Sequence, residues 1–250
     1  MLQILKYISE FNFLMRFFKP HQPILQTKQL SLNPQQLTLM KCLIIKPLKT
    51  IHLCGIYTCI DQAMIIWGVV AAIIFMTAQF SPFNWVHQAT FWSIITLIGV
   101  ILMTVLTYSW TVLEKISWLL YTWIILMVVG IIITDCAIAY NWSFIVSHLC
   151  ALWLILSGIG YGFTGWGMRS RAFFISSIIH LSAIFILPYF ISWQFFITGI
   201  VMMSNLFIFS EVQWDMLLPR ELREYSEKNF HKKNQSSSYF IEKNPLIIHF

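Results

Sequence analysis

The chain of 250 residues is 58% hydrophobic and 10% charged, and its formal net charge is +6. A soluble globular domain carries about 25% charged residues, so this composition excludes a soluble protein and indicates that lipid is the solvent. The basic residues lie outside the long apolar segments, which favours contact with the membrane surface and argues against nucleic acid as a partner.

Residues 1–60 form a basic N-terminal segment. Its first 59 residues contain seven Lys or Arg and a single acid, Glu10. The stretch "FNFLMRFFKP" at 11–20 is typical of a segment that lies on the membrane surface, so we expect residues 1–60 to be partly disordered or surface-lying. Two alternatives stay open beside this one: a targeting presequence and a true start at Met40.

Six apolar segments follow, and each has about the length of a membrane-crossing helix. They are 62–80, 89–110, 116–139, 143–163, 172–190 and 193–210. Their hydrophobicity does not alternate as it does in barrel strands. Short links make consecutive helices antiparallel neighbours. The sequence therefore predicts an all-α membrane protein, a six-transmembrane-helix bundle over 61–211, followed by a polar cytoplasmic tail at 212–250.

The basic residues predict the orientation of this bundle. All sixteen Lys and Arg fall in the N-terminal segment, in the links 111–115 and 164–171, or in the tail. The positive-inside rule places these four regions in the cytoplasm, so both termini are expected on that side. Arg169 and Arg171 then set the topology by holding the turn between the fourth and fifth spans at the inner face. The choice between a cell membrane and an organellar membrane stays open.

Tryptophans near the predicted span ends indicate aromatic belts, because indole rings favour the depth of the lipid headgroups. The expected inner belt contains Trp110, Trp118, Trp166 and Trp214. The expected outer belt contains Trp85, Trp92, Trp142 and Trp193.

A histidine near the middle of the fifth span is the first candidate for an intramembrane polar site. His180 shares a helix face with Ala172, Ser176 and Ala183, and this small, polar face is expected to point into the bundle. Ionisable residues at such depth are costly and often functional, for example as proton carriers, haem ligands or quinone partners. A neutral imidazole bonded to a neighbouring helix is the favoured alternative. Asn205, in the inner half of the sixth span, is a second candidate.

His148 and Asp135 lie near the outer ends of the fourth and third spans, where a tight link would let them form a proton-relaying pair. With His87 they would make a two-histidine, one-carboxylate metal set, but nothing in the spacing forces the three together. A haem held by His148 and His180 is disfavoured by a difference in depth of roughly 7 Å. We therefore predict no catalytic residue, no metal and no cofactor, with haem or quinone as a minor alternative.

Small residues in the third and fourth spans indicate packing. Gly158 and Gly162 are four residues apart, which lets another helix approach closely. Cys136 and Cys150 flank one hairpin, and whether they pair as a disulfide stays open beside the favoured buried thiols.

Acidic residues cluster at the predicted inner face, with Asp61 before the first span and Glu211 and Asp215 after the last. With Arg169 and Arg171 they are expected to form an ion network of modest energy.

The function favoured by the sequence is a non-catalytic one, as an assembly factor, scaffold or accessory subunit of a membrane complex. The expected partners are the lipid bilayer and other membrane proteins. The first alternative is a small transporter that uses His180, Asn205 and Asp135. The second is a haem- or quinone-linked redox protein.

Overall fold

The computed structural model describes residues 23–28, 43–44 and 56–215. The predictions for the stretch at 11–20 and for the tail beyond residue 215 lie outside these residues. The described part is helical apart from short strands, and five of its helices are long and apolar enough to cross a membrane. These five candidates are Cys59–Phe80, Trp85–Leu113, Ser117–Ala139, Leu149–Met168 and Arg171–Glu211.

Helix α1 spans Cys59–Phe80 and begins three residues before the predicted start of the first span. A capping box explains the difference: the amide of Asp61 donates to the Thr58 hydroxyl at 3.3 Å, and the amide of Thr58 donates to the Asp61 carboxylate at 2.8 Å. The helix ends just before Ser81, which precedes a proline and is therefore disfavoured in the helical conformation.

Helices α2 and α3 span Trp85–Leu113 and Ser117–Ala139. The side chain of Asn84 accepts a hydrogen bond from the backbone amide of His87, which starts α2 four residues earlier than predicted. The turn between the two helices contains Lys115 with a positive φ of 58°.

The fourth predicted span, 143–163, is wrong at both ends. A short helix α4, Ser143–Ser147, stops at His148, and helix α5 runs over Leu149–Met168. The His148 ring nitrogen Nδ1 hydrogen-bonds the carbonyl of Phe144 at 2.7 Å and so competes with the backbone ladder at the break. At the other end of α5, Arg169 adopts a left-handed φ of 51° and the amide of Ser170 donates to the Gly165 carbonyl. The turn that follows α5 therefore has two residues, whereas the predicted link was 164–171.

The fifth candidate folds back on itself. It consists of helix α6 at Arg171–Ile186, a 3₁₀ segment at Leu187–Trp193 and helix α7 at Gln194–Glu211. A straight helix of 41 residues would separate its ends by about 60 Å. Instead, the Ser170 hydroxyl and the Asp215 carboxylate, which flank the segment, are 2.7 Å apart. The two predicted segments 172–190 and 193–210 are thus two antiparallel helices.

The long helices form a ring. Helix α1 packs on α2 and α7, α2 packs on α3, α3 on α5, and α5 on α6, while α7 contacts both α5 and α6 and closes the ring. The described part of the N-terminal segment contributes strand β1 (Leu25–Thr27), which pairs antiparallel with β4 (Val212–Trp214) after α7. Strands β2 (Leu43–Ile44) and β3 (Ile56–Tyr57) form a second small pair before α1.

The two ends of the ring differ in their ionisable residues: the described Lys and Arg all lie at one end, together with the acids Asp61, Glu114, Glu211 and Asp215. We call the end that carries Lys28, Lys115, Arg169 and Arg171 the basic end; it holds the start of α1 and the end of α7. The described residues at the opposite end, where the 3₁₀ segment turns, include no Lys or Arg.

Candidate functional site

An elongated, partly open apolar cavity of about 160 Å³ lies within the helix ring. Along α1 its lining extends from Ile60 to Phe75, which is about 22 Å at 1.5 Å per residue. Helices α2, α3, α5 and α7 supply most of the remaining wall, and α6 contributes Phe173. The cavity therefore runs along the axis of the ring from the basic end toward the opposite end.

Large and polarizable side chains make up much of this lining. Four tryptophans and five methionines surround the cavity: Trp67, Trp110, Trp123, Trp153, Met64, Met103, Met127, Met168 and Met202. Methionine is flexible and polarizable, so it adapts to an irregular apolar guest. Among the described lining residues none is charged.

Glycines face three of these indoles, and at two of them a Cβ would not fit. A Cβ added to Gly160 would lie 2.6 Å from Cη2 of Trp123, and one added to Gly130 would lie 2.8 Å from Cη2 of Trp153. The corresponding distance from Gly99 to Trp67 is 3.4 Å. Each indole therefore lies against the bare backbone of a neighbouring helix, with its ring beside the cavity.

Three hydroxyl groups on the wall are turned back to their own helices. Thr107, Thr111 and Thr164 donate to the carbonyls of Met103, Tyr108 and Gly160 at 2.8 to 2.9 Å. Such bonds leave the hydroxyl proton unavailable to a guest.

The indole donors of the wall have different partners. Trp123 Nε1 donates to Thr164 at 3.0 Å, and Trp67 Nε1 donates to the Met103 sulfur at 3.2 Å. Trp110 is 8% exposed, and its Nε1 is buried with no acceptor among the described residues. Trp110 was predicted to lie in the inner aromatic belt, and this is wrong, because the ring points into the cavity. Trp92 and Trp214 are also buried, whereas Trp85, Trp118, Trp142, Trp166 and Trp193 are exposed.

A polar cluster lies beside the cavity, between α5, α6 and α7. His180 is fully buried, and its Nδ1 donates to the carbonyl of Ser176 at 2.8 Å. Because a carbonyl can only accept, the neutral ring carries its proton on Nδ1, and the buried Nε2 has no donor among the described residues. The Ser176 hydroxyl donates to Asn205 Oδ1 at 2.8 Å, and the side chain of Asn205 also interacts with Tyr161. The predicted candidates His180 and Asn205 thus share one cluster.

The Tyr161 ring separates this cluster from the cavity. Its centroid lies 4.8 Å from that of His180, and the same tyrosine lines the cavity wall. Neither His180 nor Asn205 is a lining residue.

The other predicted polar residues lie elsewhere. Asp135 accepts a hydrogen bond from the Ser93 hydroxyl between α3 and α2, at 2.8 to 2.9 Å. His148 is exposed and bonds within its own turn. His87 bonds to Asn84, three residues before it. Within the described ranges no group of three His, Cys, Asp or Glu is placed to hold a metal ion.

The small residues predicted to pack helices lie at the interface of α5 and α6. A Cβ on Gly158 would lie 3.0 Å from Leu181, and the Ser177 hydroxyl donates to the Gly158 carbonyl at 2.7 Å. Gly162 faces the same serine at 3.5 Å. Cys136 and Cys150 are free thiols.

An acidic residue clamps the basic end. Asp215 accepts hydrogen bonds from Arg171 Nε at 2.6 Å, from the Ser170 hydroxyl at 2.7 Å, and from the amides of Arg171 and Ala172 at 3.0 and 3.1 Å. Burial raises the pKa of this carboxyl, but the hydrogen bonds from Arg171, Ser170 and Ala172 outweigh burial and hold the pKa below its ordinary value. The clamp fastens the chain after α7 to the first turn of α6.

The N-terminal segment is fastened at the same end. Lys28 Nζ lies 2.8 Å from the Asp61 carboxylate, and it also donates to the Ser210 carbonyl. The Tyr57 hydroxyl donates to Glu211 at 2.8 Å. Every acid predicted for the inner network therefore has a partner here, although Lys28 and Tyr57 were not among the partners predicted.

The positions of three tryptophans are the sequence signal for the cavity. Trp67, Trp123 and Trp153 lie well inside their spans, away from headgroup depth, and each has a glycine facing it on another helix. Which glycine faces which indole depends on the packing of the helices, and the spacing within one helix does not provide it.

No protein-family model matches the chain, and neither a curated protein nor a solved structure matches it.

Proposed function

We propose that this chain is a six-span membrane protein with a non-catalytic role, which is to hold an apolar molecule in the cavity at the centre of its helix ring. The observation that carries the proposal is the cavity itself. Its wall is apolar and uncharged, and it runs for about 22 Å along the ring axis.

The size of the cavity supports an occupant. At about 24 cal/mol per Å³, a closed void of this volume would cost roughly 4 kcal/mol, which is an upper bound for a cavity that is partly open. Water is a poor filler, because a buried water needs two to four polar partners, the wall is mainly apolar, and three of its hydroxyls are bonded to their own helices. An apolar molecule recovers the lost contacts with no such requirement.

The charges support an orientation with both termini in the cytoplasm. Sixteen Lys and Arg occupy the N-terminal segment, two turns and the tail. Lys28, Lys115, Arg169 and Arg171 lie at one end of the ring. Under the positive-inside rule that end faces the cytoplasm. Residues 171–211 fold back into two helices, so the chain has six helices that could cross the membrane. Six crossings return the C-terminus to the side of the N-terminus, as this orientation requires.

The test is to identify what the purified protein carries. The tagged chain is purified in a mild detergent, extracted with organic solvent and analysed by mass spectrometry. Ala71→Leu adds three carbons to the cavity wall, and Ala72→Leu makes the same change one position away, outside the lining. We expect one apolar molecule in a near-stoichiometric amount, lost from the Ala71→Leu protein and kept by the Ala72→Leu protein. The same extract from all three proteins would overturn the proposal.

A further inference from the structure

The cavity has nearly the same length along three helices of the ring. Its lining covers 60–75 on α1, 96–111 on α2 and 153–168 on α5. At 1.5 Å per residue, each of these stretches is about 22 Å long. The wall therefore follows a single axis from the basic end toward the opposite end.

The volume of the cavity is small for that length. A group the size of a water molecule takes about 10–15 Å³ of a cavity, so 160 Å³ holds about 11–16 such groups, and a methylene is close to water in size. Carbon–carbon bonds of about 1.5 Å advance an extended chain by about 1.25 Å per carbon, and the end atoms add about 3.5–4 Å. A chain of about 11–16 carbons is then about 16–23 Å long, which accounts for the length and the volume together.

Wider guests do not match both quantities. Carbon atoms in contact are about 3.5–4.0 Å apart, so two chains side by side would need about twice this volume over the same length. A ring or a branched body with the same number of carbons would fill the volume but leave much of the length empty. The proportions of the cavity therefore fit a single unbranched chain.

Two of the indoles keep the wall from moving back. Trp123 and Trp153 line the cavity, and their rings lie so close to the backbone of Gly160 and Gly130 that a Cβ there would be 2.6 and 2.8 Å away. Neither ring can move further toward the facing helix without a clash. The methionines of the wall can adjust to the bends of a chain, but the indoles hold the cavity narrow at the two levels where they lie.

The wall favours a chain and excludes a charged head group. No described lining residue is charged, so an ionised group would lose its hydration without gaining a counter-ion. Because the cavity is partly open, a chain can enter it while its head group stays outside. The chain is therefore the part of the guest that the wall recognises.

We propose that the cavity binds one unbranched alkyl chain of about 11–16 carbons, extended along the axis of the ring, with its head group outside the cavity. This inference rests on the proposed function, because it specifies the chemical class and the shape of the molecule that the cavity holds. The chain belongs either to a single-chain lipid, such as a fatty acid or a fatty alcohol, or to one arm of a two-chain lipid.

Two probes that match in carbon number and differ in shape test the proposal. 1-Bromododecane is linear, and bromocyclododecane closes the same carbons into a ring; the bromine of both quenches tryptophan on contact. Each is titrated, at equal mole fraction in the micelles, into the full chain in detergent and into two variants. Ala71→Leu fills part of the cavity, and Ala72→Leu is the control, since its position lies outside the lining. Exposed indoles are quenched alike in all three proteins, so the difference from Ala71→Leu isolates the cavity.

The linear probe should bind the unmutated chain and Ala72→Leu at least about tenfold more tightly than the cyclic probe does, because overpacking of a narrow site is unfavourable. This preference should disappear in Ala71→Leu. Equal binding of the two probes to the unmutated chain would overturn the single-chain inference and leave the proposed function standing. Quenching by neither probe above the level of Ala71→Leu would overturn the proposed function as well.

A second measurement uses the unmutated chain alone and tests the length. n-Octane, n-dodecane, n-hexadecane and n-eicosane compete with 1-bromododecane at equal mole fraction in the micelles. Displacement should rise several-fold from octane to dodecane and stop rising beyond hexadecane, because about sixteen carbons fill the cavity. The same displacement by all four alkanes, or a further rise at eicosane, would contradict the stated length.

The lipid that copurifies with the unmutated chain identifies the source of the alkyl chain. In mass spectrometry of the extract, a fatty acid or a fatty alcohol assigns a single-chain lipid, and a phospholipid or a diacylglycerol assigns one arm of a two-chain lipid. A sterol or a polyisoprenoid in a near-stoichiometric amount would overturn the inference, because neither contains an unbranched chain of this length.

Discussion

Replacement of Asp215 by alanine is expected to destabilise the basic end strongly, because this carboxylate is the acceptor of four hydrogen bonds. Its side chain is 1% exposed, and its donors are two side chains and two amides in the first turn of α6. Breaking a buried ion pair costs about 3–5 kcal/mol. The Arg171 side chain is 24% exposed, so water replaces part of the lost interaction, and we expect a loss of about 2–4 kcal/mol.

Thermal unfolding of the purified protein in detergent measures this loss. For a chain of this size 1 kcal/mol corresponds to a shift of about 2–4 °C in the midpoint, so Asp215→Ala should lower it by about 5–15 °C. Asp135→Ala is the control, since that carboxylate accepts from a single serine hydroxyl and should cost about 1 kcal/mol. If Asp215→Ala costs no more than Asp135→Ala, the clamp does not stabilise the ring.

The pH dependence of the same difference provides an independent check. The pKa of Asp215 is lowered in the folded protein, so the carboxylate stabilises the fold fully above its ordinary value of 3.8. The stabilisation is lost as the pH falls through the lower, folded value. The difference in midpoint between the unmutated chain and Asp215→Ala should therefore be constant near neutral pH and shrink below about pH 4. A difference that grows as the pH falls would refute this reasoning.

Three further predictions follow from other parts of the ring. Gly160→Ala places a Cβ against the facing indole and should lower the free energy of unfolding by about 1–3 kcal/mol. Gly162→Ala meets only a hydroxyl at 3.5 Å and should leave the stability unchanged or slightly higher. Equal effects of the two variants would refute the close approach of Trp123 to Gly160. His180→Phe enlarges a fully buried ring and should cost about 1–3 kcal/mol, but it should leave the bound molecule in place, because the imidazole does not line the cavity. Loss of the bound molecule would move the site to the polar cluster. A reporter fused after Phe83 should read outside and one after Lys115 inside, and the same side for both would contradict the six-span orientation.

The helical segments could be predicted from the sequence because apolar length is a local property. The ends of the helices depended on finer interactions. The capping box of Thr58 and Asp61 was present as a Thr and an acid three residues apart, so an earlier start of α1 was available from the sequence. The break at His148 depends on a side chain that bonds to the backbone of its own turn, and no periodicity indicates it.

The sequence predicted the polar cluster beside the cavity but not the cavity itself. His180 and Ser176 were placed on one inward face because their spacing fits a single helix, and Asn205 joins them across the interface with α7. Trp110 was assigned to a headgroup belt because its position along the chain fits one. Whether an indole at that depth faces lipid or the interior depends on the rotation of α2. The small and polar residues Thr96, Gly99 and Thr107 lie at helical spacing on its buried face, and they are the sequence signal that would have placed Trp110 inside.

The pairing of tryptophans with glycines explains why this ring keeps a cavity. Between helices in lipid there is little hydrophobic drive to close a gap, because lipid tails are as apolar as the side chains that would fill it. The spacing of the helices is then set by what lies between them. At the interface of α3 and α5, an indole lies at each of two levels where the helix backbones would otherwise meet. These contacts are Trp123 against Gly160 and Trp153 against Gly130. A Cβ at either glycine would overlap the facing indole, and both indoles line the cavity, so the volume available to a guest depends on these contacts as well as on the residues that touch it.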